Sequence, residues 1–309
     1  MSANKVLCYG GIAVESFIEL PYQPKPGIAH IICDEYYRIG GGAANAAEWL
    51  ASWGIPTRLS GYVIGYDRYG DQLREWLSEY PSLDLSYLQR QKEINTLISR
   101  TIPFPDGNKY LLCSGYAEVT LTPPTPKLLE DIQILEIAFY FRQARGNAAS
   151  AEIARLAAGR GIKIVAMDLL TPDAETVPAA EVIVNSAASI LEQFPSADVG
   201  EHSNELQAAS KGIVITTDGS QQIQAIDRDG TQYSLLPPKV TPVETTGAGD
   251  SFRAGIIYGL LQQWSLSHSL RWAAAVSALQ IQRSLAQDRP PTMEKIASLA
   301  ERIEVRRMD

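Results

Sequence analysis

Glu244-Thr245-Thr246-Gly247-Ala248-Gly249-Asp250-Ser251-Phe252 leads directly into an apolar, helix-like segment, Ala254 to Gln263. Small residues let a backbone approach a ligand closely, and the N–H groups that open a helix lack partners within it. Together they form an anion hole. Asp250 falls in the first turn, where the positive end of the helix dipole favours its ionised form. A carboxylate beside an anion hole suits phosphoryl transfer: it can take a hydroxyl proton while the N–H groups hold charge on the moving phosphoryl. An isolated Gly-x-Gly-Asp would be no more than a glycine turn with an acidic cap. The residues by themselves leave both readings open.

Working outward, short apolar runs alternate with helix-sized segments. Val6 to Tyr9, Thr57 to Val63, Ile134 to Phe141, Ile162 to Met167, Glu181 to Val184 and Gly212 to Thr216 read as strands. Ala43 to Trp53 and Arg68 to Glu79 read as helices, as do Ala248 to Gln263, Leu266 to Arg283 and Met293 to about Val305. Such alternation predicts a mostly parallel sheet with helices on both faces. Two stretches break the pattern, Phe17 to Ile39 and Asn95 to Ser114. Both are rich in β-branched or aromatic residues, and the second carries the turn signal Pro105-Asp106-Gly107-Asn108. They predict a small antiparallel sheet standing off the body as a lid, or else two decorated surface loops.

The bulk properties narrow the function classes. The chain has 309 residues, 45% of them hydrophobic, and a net charge of −8, so neither a basic nucleic-acid footprint nor a disordered chain is expected. Cys8, Cys33 and Cys113 are scattered without CxxC spacing, and His30, His202 and His268 are equally dispersed. This argues against a disulfide framework or a zinc site, and no metal-binding residues are assigned. No apolar run reaches the roughly 18 residues of a spanning helix. Met1 to Lys5 is polar and lacks signal-peptide architecture. The reading is a cytoplasmic enzyme acting on small molecules.

Gly40-Gly41-Gly42-Ala43-Ala44-Asn45 is a second glycine-rich helix entry. It loosely mimics a dinucleotide fingerprint, but its sixth position is Asn45 and no acidic ribose ligand follows, so an oxidoreductase is a weak reading.

Thr245 to Phe252, closed by Ala254-Gly255, resembles the C-terminal signature of the PfkB, or ribokinase-like, carbohydrate kinases. Gly41, Gly42 and Asn45 are similar to that family's N-terminal signature. The resemblance runs from about Val6 to Pro291 and implies one doubly wound α/β kinase domain with a small β lid. It implies Asp250 as catalytic base, with Gly247, Ala248 and Gly249 as phosphate-stabilising backbone. Gly41, Gly42 and Asn45 become acceptor-binding residues, as does Glu15, five residues after Gly10 where the family commonly has Asp. Pro26-Gly27 and Gly65-x-Asp67-x-x-Gly70 also look familial. Asn185, Thr217, Gly219 and Gly249 are implied on the nucleotide side, and ATP and Mg²⁺ as cofactors.

The implied function is ATP-dependent phosphorylation of a sugar or sugar-like hydroxyl. The alternatives are a nucleoside kinase of the same fold and a ligand-binding sensor with weak or no turnover. The sequence departs from the pattern at Glu15, at Ala188 in place of the Glu of Asn-x-x-Glu, at Gln222 in place of a nucleotide-site glycine, at Glu244 in place of Asp, and at Arg253 beside the base. Relatives are commonly activated by a monovalent cation; Glu244 and Ser284-Leu285-Ala286 depart there as well, so little K⁺ activation is expected. Arg100 is a further acceptor candidate, its fork suited to an anion, or else an exposed strand residue. Arg142 and Arg145 pose the same choice. A homodimer paired through the lid is expected as the mode of assembly.

Overall fold

The computed structural model describes residues 6–104, 109–115, 119–139, 144–284 and 289–308. In chain order these form β1 (Val6–Gly10), β2 (Ala13–Glu19), β3 (Asp34–Gly40), α1 (Gly42–Ser52), β4 (Thr57–Gly61), β5 (Ile64–Gly65), α2 (Arg68–Ser78) and β6 (Leu83–Asp84). Then come β7 (Arg90–Gln91), β8 (Ile98–Pro103), β9 (Lys109–Ser114), β10 (Ile134–Ala138), α3 (Ala144–Ala158), β11 (Lys163–Met167), β12 (Val182–Ser186), α4 (Ala187–Gln193) and α5 (Val199–Ser210). The chain ends with β13 (Ile213–Asp218), β14 (Gln222–Ile226), β15 (Gln232–Leu235), α6 (Ala248–Leu261), α7 (Leu266–Gln280), α8 (Met293–Ala300) and β16 (Val305–Met308).

Strand β1 shows why the sheet is covered on both sides. Val6 and Cys8 pack with α6 residues such as Phe252 and Ile256. Leu7 and Tyr9, pointing the other way, pack with Ile153 and Ala157 of α3. Period-two alternation with no polar face is the mark of a strand buried between helix layers. Ten strands follow the order β16-β15-β14-β13-β12-β11-β10-β1-β4-β6. Pairing is parallel from β6 to β13 and antiparallel from β13 to β16. The chain leaves β1 toward β4 on one side and returns to β10 on the other. The carboxyl ends of β1 and β10 therefore flank the topological switch point, where open α/β sheets bind ligands.

Two expectations are corrected here. The last helix stops at Ala300, and Val305–Met308 is a strand that pairs with β15 at the sheet edge. The small second sheet exists, in the order β3-β2-β8-β9, but it is mixed: β2 runs antiparallel to β3 and parallel to β8. Its first strand begins at Ala13, ahead of Phe17, so β2 grows straight out of the switch point at β1. The turn signal Pro105 to Asn108 lies outside the described residues. Among the described residues no helix is long and apolar enough to cross a membrane.

Candidate active site

Four helices start with a side-chain cap, Asp67 for α2, Ser186 for α4, Asp198 for α5 and Ser265 for α7, while α8 starts at Thr292 without one. The two that meet at the switch point lack one as well. Helix α1 starts at Gly41 and α6 at Gly247, both with positive φ (90° and 79°) and neither with a side-chain cap. At α1 the Ala43 and Ala44 N–H groups are used internally, donating to the Gly11 carbonyl. At α6 Ala248 N–H donates to Thr245 O, and the dipole of a fourteen-residue helix bears on whatever lies before its first turn.

Asp250, in that first turn, is 1% exposed. Its Oδ2 accepts from Asn45 Nδ2 at 2.7 Å, and its Oδ1 accepts from Arg253 Nη2 at 2.8 Å. The signatures of α1 and α6, 205 residues apart in sequence, thus meet through one hydrogen bond. Glu15 of β2 joins them through an Asn45 hydrogen bond. Burial pushes the Glu15 carboxyl up to about 7; Arg38 offsets part of that, and the Asp250 and Glu244 charges add to it.

Arg38 is a site residue that the sequence reading missed. Glu15 stands opposite Arg38 in the β2–β3 ladder, so both point to one face. Arg38 Nε lies 3.5 Å from Glu15 Oε2, and Nη2 lies 3.9 Å from Glu244 Oε2. Its guanidinium also covers the Phe17 ring at 4.3 Å. No local signal marks it, because only the register of β3 against β2 brings it to the face of Glu15. Lys109 of β9 was missed as well: its Nζ bonds Glu244 Oε1 at 2.7 Å.

The structure does not bring Arg100 into this cluster. Arg100 pairs with Ser16, one residue past Glu15, and so projects from the opposite face, where it bonds Ser114 Oγ. A shift of one residue along a strand reverses the face. Arg142 and the side chain of Arg145 lie outside the described residues, as do residues 285–288.

Asn185 and Thr217 end the adjacent parallel strands β12 and β13, and Gly219 follows in the turn to β14. Asn185 donates to Leu169 O, while its Oδ1 is buried and has no hydrogen-bond partner among the described residues. Gln222 opens β14, where its pairing opposite Asp218 makes it a ladder residue. Asp67 caps α2 and also accepts from Thr96 N at 2.7 Å, tying α2 to the segment that enters β8.

Comparison with known proteins follows the same pattern. The model of the pfkB family carbohydrate kinases matches residues 3–293. Ribokinase of Haemophilus influenzae is 24% identical over 307 residues, covering 94% of this chain and 97% of that protein. 1-Phosphofructokinase of Escherichia coli is 34% identical over 110 residues, covering 35% of this chain and 34% of that protein. Arabidopsis thaliana ribokinase, solved with ribose and ATP, superposes with a TM-score of 0.77 at 18% identity, covering 97% of this chain and 99% of that one. Burkholderia thailandensis nucleoside kinase, solved with inosine, gives 0.73 at 18% identity, with 96% of each chain covered. The two solved structures share the fold, and the family match spans both glycine-led helix entries: this chain belongs to the pfkB family of carbohydrate kinases.

Proposed function

We propose that this chain transfers the γ-phosphoryl group of ATP to a hydroxyl of a sugar or sugar-like molecule, with Asp250 as general base. The observation that carries the reading is the buried Asp250 carboxylate, held by Asn45 at the uncapped, glycine-led start of α6. In the step, the acceptor O–H gives its proton to Asp250, and the acceptor oxygen bonds to the γ-phosphorus. The bond from that phosphorus to the β–γ bridging oxygen breaks, and ADP leaves with its electron pair. Backbone N–H groups of Gly247, Ala248 and Gly249 hold charge on the transferring group. Glu15, Gly41, Gly42 and Asn45 orient the acceptor, and orientation of this kind supplies much of the acceleration. Asn185, Thr217 and Gly219 line the nucleotide side.

Mg²⁺ fits this site as an ion borne by ATP. Among the described residues no cluster of three His, Cys, Asp or Glu side chains could hold a metal by itself, whereas Asn185 Oδ1 is a buried acceptor without a partner. When bound, the ion neutralises phosphate charge. The second sheet acts as a lid that excludes competing water. Its edge strand β9 exposes Tyr110, Leu111 and Leu112, and pairing of two copies along that edge belongs to the same reading.

Asp250→Asn tests the assignment, since it preserves shape and removes the proton acceptor. Turnover of MgATP with the best acceptor is expected to fall by at least about a hundredfold, with ATP affinity unchanged. Near-normal kcat would remove Asp250 from the mechanism. A sensor reading draws on Ala188 and on the engagement of Asp250 by Arg253. Ligand-dependent thermal stabilisation without ADP release would favour it.

A further inference from the structure

Strand β10 is buried on both faces, and its residues alternate between them. Ile134 faces the core shared with α6, and Leu135 and Ile137 face α3. Position 136 belongs to the α6 face, where the alternation calls for an apolar side chain, and it holds a glutamate with no solvent exposure. Glu136 Oε1 accepts from Arg253 Nε at 3.0 Å, and Oε2 is buried with no hydrogen-bond partner among the described residues. Arg253 is itself 1% exposed, and its Nη2 donates to Asp250 Oδ1. Its Nη1 points at Met167 Sδ. One guanidinium therefore bridges two carboxylates, one from the sheet and one from the first turn of α6.

A buried arginine aimed at a base has two opposed effects. It fixes the carboxylate in one orientation, and it weakens that carboxylate as a proton acceptor by stabilising its charge. A second carboxylate on the far side of the guanidinium cancels much of the second effect and leaves the first. We propose that Arg253 and Glu136 are positioning residues for phosphoryl transfer: Arg253 fixes Asp250 through Oδ1, and Glu136 holds the guanidinium from its other side and offsets its charge. Asp250 Oδ2, beside Asn45, is then the oxygen that receives the acceptor proton. The proposal rests on the reading of Asp250 as base.

The surroundings are consistent with a balance of this kind. Burial pushes the Glu136 carboxyl up to about 7, with Arg253 lowering it and Asp250 raising it. Among the described residues, groups that face this pair include Cys8 from β1, Met167 from β11 and Asp250 from α6. On its acceptor side Asp250 faces Asn45 from α1 and Glu15 from β2, with Arg38 and Glu244 next to Glu15.

The test uses Glu136→Gln, Arg253→Met and the apolar double variant Glu136→Leu/Arg253→Met, which removes the whole pair and guards against loss of folding through one uncompensated buried charge. Carboxyl-¹³C NMR follows the Asp250 titration, with the resonance assigned by its loss in Asp250→Asn. The midpoint is expected to move to lower pH in Glu136→Gln and to higher pH in Arg253→Met, each by about one unit, with the double variant between them. ADP release from MgATP is then measured with D-ribose, D-fructose and inosine as probe acceptors. The acid limb of kcat is expected to move in the same directions, and kcat in Glu136→Gln to fall about tenfold with KM for ATP unchanged. Midpoints that stay at the wild-type position, or move together in one direction, overturn the proposal and leave the pair as core packing. Midpoints that move as expected while Asp250→Asn turns over normally overturn the base assignment and, with it, the positioning role.

Discussion

The ammonium of Lys109 lies 2.7 Å from Oε1 of Glu244, and the same Nζ donates to Thr246 Oγ1 at 3.0 Å and Thr245 Oγ1 at 3.2 Å. The edge strand of the second sheet is thereby tied to the loop that opens α6. Burial by itself would raise the Glu244 carboxyl, but Lys109 and the Thr246 hydrogen bonds outweigh it and hold the group below the usual carboxylate range. The second sheet and the loop that opens α6 form one electrostatic unit.

Lys109→Met keeps most of the stem and removes the charge. A hydrogen bond to a charged group is worth about 1.5–3 kcal/mol, and the lower end applies because the Lys109 side chain is a third exposed. KM for MgATP and for the acceptor are both expected to rise about tenfold, with kcat changed less. The native ammonium already sits on the Glu244 carboxylate, so KCl titrated at constant ionic strength should not activate the wild type. The variant should gain a response to K⁺. Several-fold K⁺ activation of the wild type, or unchanged KM values in Lys109→Met, would count against the clasp.

Gly41 and Gly247 both have positive φ, yet they face different neighbours. A Cβ on Gly41 would lie 2.5 Å from the Gly11 carbonyl oxygen, a backbone atom that cannot turn aside, whereas on Gly247 the first contact is Gln280 Nε2 at 3.1 Å. Gly41→Ala should therefore cost at least about 2 kcal/mol of stability through strain and displacement of α1, and Gly247→Ala about 1 kcal/mol. Denaturant melts of the two variants check the order. Equal midpoints would mean that the loop before α1 yields more readily than its packing indicates.

The raised Glu15 carboxyl makes stability depend on pH with a definite sign. Unfolded, the group titrates at about 4.3; folded, at about 7. Between those values the folded chain keeps a proton that the unfolded chain has lost, so the Glu15 contribution falls as pH rises through the window. Glu15→Gln removes the effect. Its melting temperature relative to wild type should climb from about pH 5 to about pH 8. A flat or falling difference would show that Arg38 compensates the buried charge fully.

These residues also mark where the sequence was legible. Glu244 to Phe252 and Gly40 to Asn45 could be read because the needed groups are adjacent in the chain and each string opens a helix. Glu136 could not, since a mid-strand glutamate acquires meaning only when Arg253, 117 residues later, packs against it. Arg38 and Arg100 were exchanged for the same kind of reason. The β2–β3 and β2–β8 registers decide which arginine shares a face with Glu15, and no local pattern encodes a register between separated strands. Strand β16 was read as helix because a four-residue edge strand with two exposed arginines carries little apolar periodicity.

The departure at Glu15 is accommodated by its neighbours, which makes a reversal informative. A Cβ on Gly40 would come within 2.5 Å of Glu15 Cγ, so Gly40 provides the room in which the longer side chain lies. From there the carboxylate reaches Arg38, and Arg38 reaches on to Glu244. Glu15→Asp withdraws the carboxylate by one methylene from both Arg38 and Asn45. Among the described carboxylates the guanidinium is left with Glu244 at 3.9 Å, and a small cavity opens over Gly40. If Glu15 orients the acceptor, KM for the acceptor should rise about tenfold while KM for ATP stays unchanged, because the loss falls on ground-state binding of one substrate. If Glu15 serves only to neutralise Arg38, both KM values should hold and only the melting temperature should fall. Steady-state kinetics with each substrate varied in turn separate these outcomes, and an acceptor KM that improves on shortening would show that the longer side chain is no adaptation to the native acceptor.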